Sequence, residues 1–312
     1  MHILITGGAG FIGSHLVRLC QAKGANVTVL DNLTTGTLNH LPQSGYTFWE
    51  GDIRDKAIAN RITSGHFDAI IHLAAQTMVD ASLRNVSFDA DENIMGTLNV
   101  LEAARKGGVK RTIFASTAAA YGDVTEKNLP IQEDHPLEPT SFYGLSKITV
   151  EHYLALYAKL FGLEYVICRF ANVYGERQGD KGEGGEGGVV SIFAKRIAQN
   201  LPITIYGTGE QTRDFVYAGD IASGIYAALK TPHVNDVYNL STQTEVSIND
   251  LVALFNNISG KNLKPTYTNV REGDIFRSTL SNAKAKEKLQ WSPQMQLEEG
   301  LRHTYDYFCS LF

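Results

Sequence analysis

Cysteine is scarce in this chain: Cys20, Cys168 and Cys309 lie far apart, with no C-x-x-C pair. That argues against a disulfide framework and suits reduced, buried thiols in a cytosolic protein. A metal centre is equally unsupported, because His15, His72 and His152 form no H-x-x-x-H ligand pair. No apolar run approaches ~18 residues, so no membrane-spanning helix is expected. The N-terminus reads as a strand and a glycine turn rather than a signal peptide. Basic excess is missing too. The net charge is -5 and the lysines and arginines are dispersed, which argues against a nucleic-acid or membrane partner. There is no internal repeat.

Glycine, by contrast, is concentrated where it matters. The apolar run His2 to Thr6 leads at once into Gly7-Gly8-Ala9-Gly10-Phe11-Ile12-Gly13. This reads as strand, tight turn and helix. Glycines at 7, 10 and 13 let the backbone approach a pyrophosphate, which then faces the unpaired N–H groups of the helix start. A second apolar run ends in Asp31, eighteen residues after Gly13. A carboxylate there accepts from the adenosine ribose diol and repels a 2′-phosphate. The following Asn32-Leu33-Thr34-Thr35-Gly36 holds no arginine, which favours NAD over NADP. Asp52, with Ile53 alongside, is placed either to meet the adenine amine or simply to close a turn.

At 312 residues the chain can form two modest units with a full core. Strands fit at about 2–6, 26–30, 46–50, 68–73, 111–116 and 164–169, alternating with helices at about 11–23, 55–63, 79–106 and 142–160. Alternating β and α units imply a Rossmann-type, doubly wound parallel sheet, which binds ligands at the carboxyl ends of its strands. Those ends carry Gly7, Asp31, Asp52, Leu73-Ala74-Ala75, Thr117 and Asn172.

Beyond residue 169 the texture changes. Gly179 to Gly188 is glycine-rich and charged, either a linker or a substrate-covering loop. A helix at 189–199, strands at 203–206 and around 213–216, and helices at 247–258 and 297–309 make a smaller α/β unit. Val237 to Leu240 is expected to return to the main sheet. The division is therefore 1–168 with 213–243 for the nucleotide unit, and 169–212 with 244–312 for a substrate-binding unit.

Tyr143 and Lys147 stand one helical turn apart and share a face. A cation about 5 Å from the phenol, at an effective dielectric of ~20, is worth ~3 kcal/mol, or ~2 pKa units. A phenol tuned toward neutrality can take a hydroxyl proton while hydride leaves the same carbon. Taken alone, Thr117 could equally cap a turn, Arg213 could pair with Asp214, Arg271 could be a solvated loop charge, and Asn172 could be a turn former.

These motifs together resemble the extended short-chain dehydrogenase/reductase superfamily, and within it the NAD-dependent nucleotide-sugar epimerases. The likeness runs through nearly the whole chain: TGGAGFIGSH at 6–15, HLAAQ at 72–76, FASTAAAYG at 114–122, YGLSK at 143–147, RFANVYG at 169–175, YGTGEQTRDFVY at 206–217 and REGD at 271–274. It implies Tyr143 as catalytic acid/base, Lys147 as its electrostatic partner on the ribose, and Thr117 as the hydroxyl meeting the sugar C4 oxygen. It adds Gln76 and Asn93 to the cofactor residues. Asn172, Val189, Tyr206, Arg213, Arg271, Asp274 and Ser278 are implied for the UDP-sugar, with both arginines clamping its diphosphate. Thr77 departs from the lysine that some epimerases carry near the nicotinamide ribose.

The resemblance also separates reactions. In the related 4,6-dehydratases an Asp-Glu pair follows the catalytic threonine, and in the glucuronate decarboxylases the second residue is glutamate. Here both are alanine, Ala118 and Ala119. What remains is reversible hydride transfer at C4 of a UDP-hexose, with UDP-glucose and UDP-galactose as the expected pair. Seven positions beyond Arg271, Ser278 is small, which implies room for an N-acetyl group at C2. A bulky Phe276 facing the sugar would reverse that. The other readings are an epimerase of a UDP-uronate or CDP-sugar, and a non-catalytic NAD sensor, whose relatives lose the tyrosine or lysine kept here. Helices 79–106 and 142–160 are expected to pair across a two-fold axis in a homodimer.

Overall fold

The computed structural model describes residues 1–180, 187–270 and 275–312. In chain order the first half runs β1 (His2–Thr6), α1 (Phe11–Ala22), β2 (Asn26–Asp31), β3 (Tyr46–Glu50), α2 (Lys56–Thr63), β4 (Ala69–His72), α3 (Val79–Arg84), α4 (Val86–Ala90), a π-helical turn (Asp91–Met95), α5 (Gly96–Lys106), β5 (Arg111–Thr117) and α6 (Phe142–Phe161). Then follow β6 (Glu164–Phe170), β7 (Asn172–Tyr174), α7 (Val189–Ala198), β8 (Thr204–Tyr206), β9 (Thr212–Arg213), β10 (Phe215–Tyr217), α8 (Ala218–Lys230) and β11 (Asp236–Leu240). The last elements are β12 (Val246–Ser247), α9 (Ile248–Ser259), β13 (Thr266–Thr268), β14 (Arg277–Ser278), α10 (Ala283–Lys288) and α11 (Leu297–Cys309).

Seven parallel strands form the main sheet in the order β11-β6-β5-β4-β1-β2-β3. The order reverses beside β1, so a crevice opens there at the carboxyl ends. Central strands covered on both faces need continuous apolar runs. Ile3, Leu4 and Ile5 of β1 are accordingly fully buried. Helix α1 buries Gly13, Leu16, Val17 and Cys20, a 3.6-residue stripe, and packs on α8. Helix α8 adds to the expected elements, burying Ala218, Ile221, Ala222, Ile225 and Leu229 at the same spacing. As expected, residues 236–240 return to the main sheet, beside β6.

A second apolar core gathers Tyr174, Phe193, Ile197, Ile205, Phe215, Leu251, Phe255, Leu301 and Phe308. Leu280, Ala285, Leu289 and Trp291 pack instead in the core under the main sheet.

Two expectations are corrected. The segment 79–106 is not one helix. Asn85 leaves helical geometry at φ -144° and ψ 81°, and its side chain accepts from the Phe88 N–H, so it ends α3 and caps α4. Buried thiols hold for Cys20 and Cys168 only, since Cys309 lies exposed near the C-terminal end of α11. No helix among the described residues is long and apolar enough to cross a membrane.

Candidate active site

The glycine turn is closed by contact. Gly7 has φ +68°, and a Cβ there would lie 2.7 Å from the Ala74 nitrogen. At Gly13 a Cβ would lie 2.1 Å from the Gly7 carbonyl oxygen. Gly8, not singled out by spacing, has no room either, with Val29 at 2.8 Å. Gly10 is the N-cap of α1 and brings no side chain to its first N–H groups. The N–H groups of Phe11, Ile12 and Gly13 therefore keep their capacity for an anion.

Asp31, 7% exposed, ends β2 beside this turn. Its Oδ2 accepts from the Ala9 N–H at 2.9 Å and its Oδ1 from the Leu33 N–H at 2.8 Å. Gly36 folds back so closely that a Cβ would meet Asp31 Oδ1 at 2.9 Å. Asn32 and Thr35 are exposed on the same loop. Leu73, Ala74 and Ala75 continue from β4, with the Leu73 N–H bonded to the Thr6 carbonyl at 3.1 Å. A diphosphate cradle with a carboxylate at the next strand end fits a dinucleotide.

Asp52 is engaged by Arg54, whose guanidinium donates to Oδ1 at 2.9 Å and Oδ2 at 2.8 Å. Those bonds hold the carboxyl down at about 2, against the opposing effect of burial. Asn32 Nδ2 also donates to Asp52, at 3.1 Å, and Ile53 is buried alongside. Arg54 further bonds Asp91 and Glu92 of the π-helical turn, at 3.0 and 2.8 Å. Asp52 is thus a braced loop residue, and Arg54 is the brace that sequence reasoning missed.

Helix α6 begins at Ser141, whose hydroxyl accepts from the Gly144 N–H at 3.1 Å. That cap puts Tyr143 in the first turn and Lys147 and Glu151 on the next two turns of one face. Thr117, at the carboxyl end of β5, stands by the Tyr143 phenol and favours its anion. It also caps the following 3-10 turn by accepting from the Ala119 N–H at 3.1 Å, so the capping reading holds. Ala118 and Ala119 occupy that turn, partly exposed.

The electrostatics correct one expectation. Lys147 does not dominate Tyr143. Burial pushes the phenol up to about 12, with Thr117 working downward and Asp89 upward. Lys147 Nζ donates to the Ala115 carbonyl at 3.0 Å and lies 4.9 Å over the Phe114 ring and 5.9 Å from the Tyr143 ring centre. Burial lowers the ammonium to about 8, opposed by Asp89 and then Glu151.

Gln76 and Asn93 hold each other. Asn93 Oδ1 accepts from the Gln76 N–H at 2.9 Å, and its Nδ2 donates to the Gln76 carbonyl at 3.0 Å. The same amide reaches Asp89 at 3.1 Å and Ser146 at 3.2 Å. Asn93 is 2% exposed, so its amide is spent within the protein.

On the far side, β6 register sets Phe170 opposite Thr117, two residues before the exposed Asn172. Arg213 does not pair with Asp214, whose carboxylate accepts from Thr242, Gln243 and Leu280. Instead Arg213 Nη1 donates to the Thr212 carbonyl at 2.8 Å. Ser278 of β14 stands opposite Arg213 of β9. Val189 opens α7 and packs on the second apolar core, while Tyr206 ends β8, exposed. Arg271, Asp274 and residues 181–186 of the glycine-rich stretch lie outside the described residues.

Two acids escaped the sequence reading. Glu151 continues the i, i+4 spacing from Lys147, and that spacing could have found it. Asp89, 1% exposed, sits in a polar run, Asp89-Ala90-Asp91-Glu92, which carries no signal of burial.

Comparison with known proteins agrees with this geometry. Three solved structures overlay nearly the whole chain. UDP-glucose 4-epimerase of Thermotoga maritima, with UDP-glucose, has TM-score 0.95 and 41% identity over 100% of this chain and 99% of its own. UDP-glucose 4-epimerase of Thermus thermophilus, with NAD, has TM-score 0.91 and 39% identity over 99% of each. UDP-N-acetylglucosamine 4-epimerase of Methanobrevibacter ruminantium, with UDP-N-acetylmuramic acid, has TM-score 0.93 and 30% identity over 100% and 99%. The family model matches residues 3–241, and with it the chain belongs to the NAD dependent epimerase/dehydratase family.

Proposed function

We propose that the protein is a cytoplasmic, homodimeric UDP-hexose 4-epimerase that interconverts UDP-glucose and UDP-galactose with NAD. One observation carries this reading. Thr117 stands by the Tyr143 phenol and favours its anion, and the next two residues, Ala118 and Ala119, offer only methyl groups. A methyl group moves no proton, so elimination of water across C5 and C6 has no acid or base here, while chemistry confined to C4 has both.

The cofactor is held by Gly7, Gly10 and Gly13, with Phe11 and Ile12 at the first turn of α1. Asp31, with Asn32, Thr35 and Gly36, receives the adenosine ribose; Asp52, braced by Arg54, lines the adenine side with Ile53. Leu73, Ala74, Ala75 and Gln76 flank the nicotinamide side, and Asn93 acts there by fixing the Gln76 backbone. When bound, NAD supplies a hydride acceptor and donor for C4, and a positive ring charge that favours the tyrosinate.

Tyr143 takes the proton of the C4 hydroxyl and later returns it. Thr117 keeps that oxygen in line, and the start of α6 favours negative charge on the phenol. Lys147 holds ribose hydroxyls and adds positive charge. Arg213 and Arg271 grip the diphosphate while the 4-keto sugar turns over, for which planar guanidinium forks suit oxyanions. Asn172, Val189, Tyr206, Asp274 and Ser278 complete the UDP-sugar site. Residues 1–168 with 213–243 form the cofactor unit and 169–212 with 244–312 the sugar unit; the second apolar core draws mainly on the latter, though Phe215 joins it and Leu280, Ala285, Leu289 and Trp291 pack in the main core.

The test is conversion of UDP-galactose to UDP-glucose by purified protein. Tyr143→Phe should lower turnover by about 10²–10⁴-fold with cofactor retained. A wild type inert on UDP-galactose would remove the substrate assignment.

A further inference from the structure

His40 ends a short 3-10 turn (Leu38–His40) that follows the ribose loop, and it is 4% exposed. Both of its ring nitrogens meet acceptors. Nδ1 lies 3.2 Å from the Ala9 carbonyl oxygen, and Nε2 lies 2.8 Å from Asp180 Oδ2. A carbonyl oxygen has no proton to give, and neither has an ionised carboxylate. A neutral imidazole has one N–H and makes only one of these bonds, whereas the imidazolium makes both. The same Asp180 oxygen accepts from the Tyr307 hydroxyl of α11, which burial and then Asp180 keep protonated.

The place of His40 gives that charge a consequence. Ala9 belongs to the glycine turn and is fully buried. Its N–H donates to Asp31 Oδ2 at 2.9 Å, and its carbonyl also accepts from the Thr37 N–H at 3.1 Å. Gly36 presses on the same peptide, since a Cβ there would lie 2.9 Å from the Ala9 carbonyl carbon. One peptide of the cofactor turn is thus held by the ribose carboxylate on one side and by His40 on the other. Beyond the ring stand the segment that follows β7, through Asp180, and α11, through Tyr307. The His40 carbonyl accepts from Arg18 of α1 at 2.8 Å and from Arg177 at 3.4 Å.

The surrounding charges divide. Arg18 and Arg177 oppose a further positive charge. Asp180 favours it, as does Glu176, whose carboxylate accepts from Tyr217 at 2.9 and 2.8 Å. His15 of α1 takes no part, because burial and then Arg177 push it down to about 4 and leave it neutral. His40, Arg18, Arg177 and Asp180 also line a cavity of about 690 Å³, which gives the ring a route for its proton.

We propose that His40 is a positioning residue for the dinucleotide: as an imidazolium it clamps the Ala9 carbonyl of the glycine turn to Asp180, and loss of its proton loosens the turn and speeds release of NAD. The inference rests on the reading of the glycine turn and Asp31 as the NAD cradle. The sign follows from the two acceptors. Rising pH removes one N–H, so either the Ala9 or the Asp180 bond is lost and the cofactor is held less well. Asp180→Asn removes the favouring charge, so the proton leaves at lower pH.

The experiment compares wild type, Asp180→Asn, His40→Gln and His40→Asn between about pH 5 and pH 9. Two readouts are taken: the ring-nitrogen resonances of His40, identified by their absence from the His40 variants, and the rate at which bound NAD exchanges for isotopically labelled free NAD. In the wild type both nitrogens should be protonated at neutral pH. Exchange should quicken by about tenfold as that signal titrates, the worth of one hydrogen bond to a charged group. Asp180→Asn should move the signal and the exchange step toward acid together, and the His40 variants should exchange fast at every pH. A ring that stays neutral throughout, a wild-type exchange rate without a step, or a step that persists in the His40 variants would overturn the proposal. Failure of both His40 variants to fold would overturn it too, because the ring would then be structural. Neither readout needs turnover, so both judge His40 even if UDP-galactose proves not to be a substrate.

Discussion

Arg169 and Glu151 meet in a buried ion pair, Nη2 to Oε2 at 2.5 Å, with side chains 4% and 6% exposed. Arg169 also donates to the Tyr121 hydroxyl at 2.9 Å, and Tyr121 to Asn239 at 2.8 Å. The pair thus ties α6, which carries the catalytic face, to β6 and through Tyr121 to β11. Its net worth over an apolar pair is small, because burial of both charges opposes their attraction. Breaking it is different. Arg169→Met leaves buried Glu151 with the Ser116 hydroxyl as its remaining hydrogen-bond donor, and we expect a loss of about 3–5 kcal/mol. Urea unfolding of the two proteins measures it. A loss under about 1 kcal/mol, the range of exposed pairs, would mean that water reaches Glu151.

Acid should expose the brace at the adenine loop. The Arg54 hydrogen bonds hold Asp52 at about 2, below the ordinary ~3.9 of an unfolded chain. A carboxyl lowered on folding stabilises above its unfolded value and loses that contribution as pH falls through its folded one. The window is therefore from about pH 4 down to about 2. Both side chains keep solvent contact, 19% and 33%, so the contribution is screened to about 1–2 kcal/mol. In Arg54→Met that part of the acid sensitivity should vanish. Equal slopes of unfolding free energy against pH in the two proteins would contradict it.

How far the sequence can be read follows from what each residue answers to. The strands of the main sheet are legible because two-sided burial demands unbroken apolar runs, as in Ile3-Leu4-Ile5. The glycine turn is legible because Gly7 and Gly13 leave no space for a Cβ. Helix breaks are harder: Asn85 stops α3 through its own backbone and side chain, and a polar residue mid-pattern looks like a solvated face. Asp89 and Arg54 are invisible for another reason: each sits among polar residues that read as a solvated surface, and only the fold buries Asp89 or brings Asp91 and Glu92 to Arg54. The ionisation of Tyr143 escapes the sequence for a related reason. Helical spacing says that Lys147 is near, but says nothing of Ala115 drawing its ammonium aside or of the burial that both groups share.

One face of α6 is left uncovered by the described residues of the monomer. Phe142, Leu145, Tyr153, Leu156 and Leu160 are exposed at helical spacing, and Val79, Leu83, Val86, Phe88 and Met95 are exposed on and between the helices packed beside it. A stripe of this kind is what a two-fold helical interface buries. We expect a dimer in sedimentation at micromolar concentration, and a monomer for Leu156→Glu combined with Leu160→Glu. A monomeric wild type would defeat the proposed homodimer.

The breadth of the sugar site turns on two neighbours at the start of β14. Ser278 stands opposite Arg213 in the β14–β9 pair, and Phe276, two residues earlier, is 57% exposed. The Thr212 N–H donates to the Phe276 carbonyl at 2.9 Å, so this backbone is held against the proposed diphosphate clamp. Phe276 lies in the bend that leads into β14, so the bulky ring and the small hydroxyl are the two side chains whose roles at the sugar wall must be told apart. Phe276 keeps most of its surface open, which leaves Ser278 nearer the paired strand. We therefore expect the wild type to turn over UDP-N-acetylgalactosamine as well as UDP-galactose. Ser278→Tyr should then cut the acetylated rate by about tenfold or more relative to the plain one, the worth of about 1.4 kcal/mol. Phe276→Ala should leave that ratio within about threefold, or roughly 0.7 kcal/mol. If the ratio instead moves with Phe276→Ala and ignores Ser278→Tyr, the ring is the gate and the room for an acetyl group at Ser278 is lost.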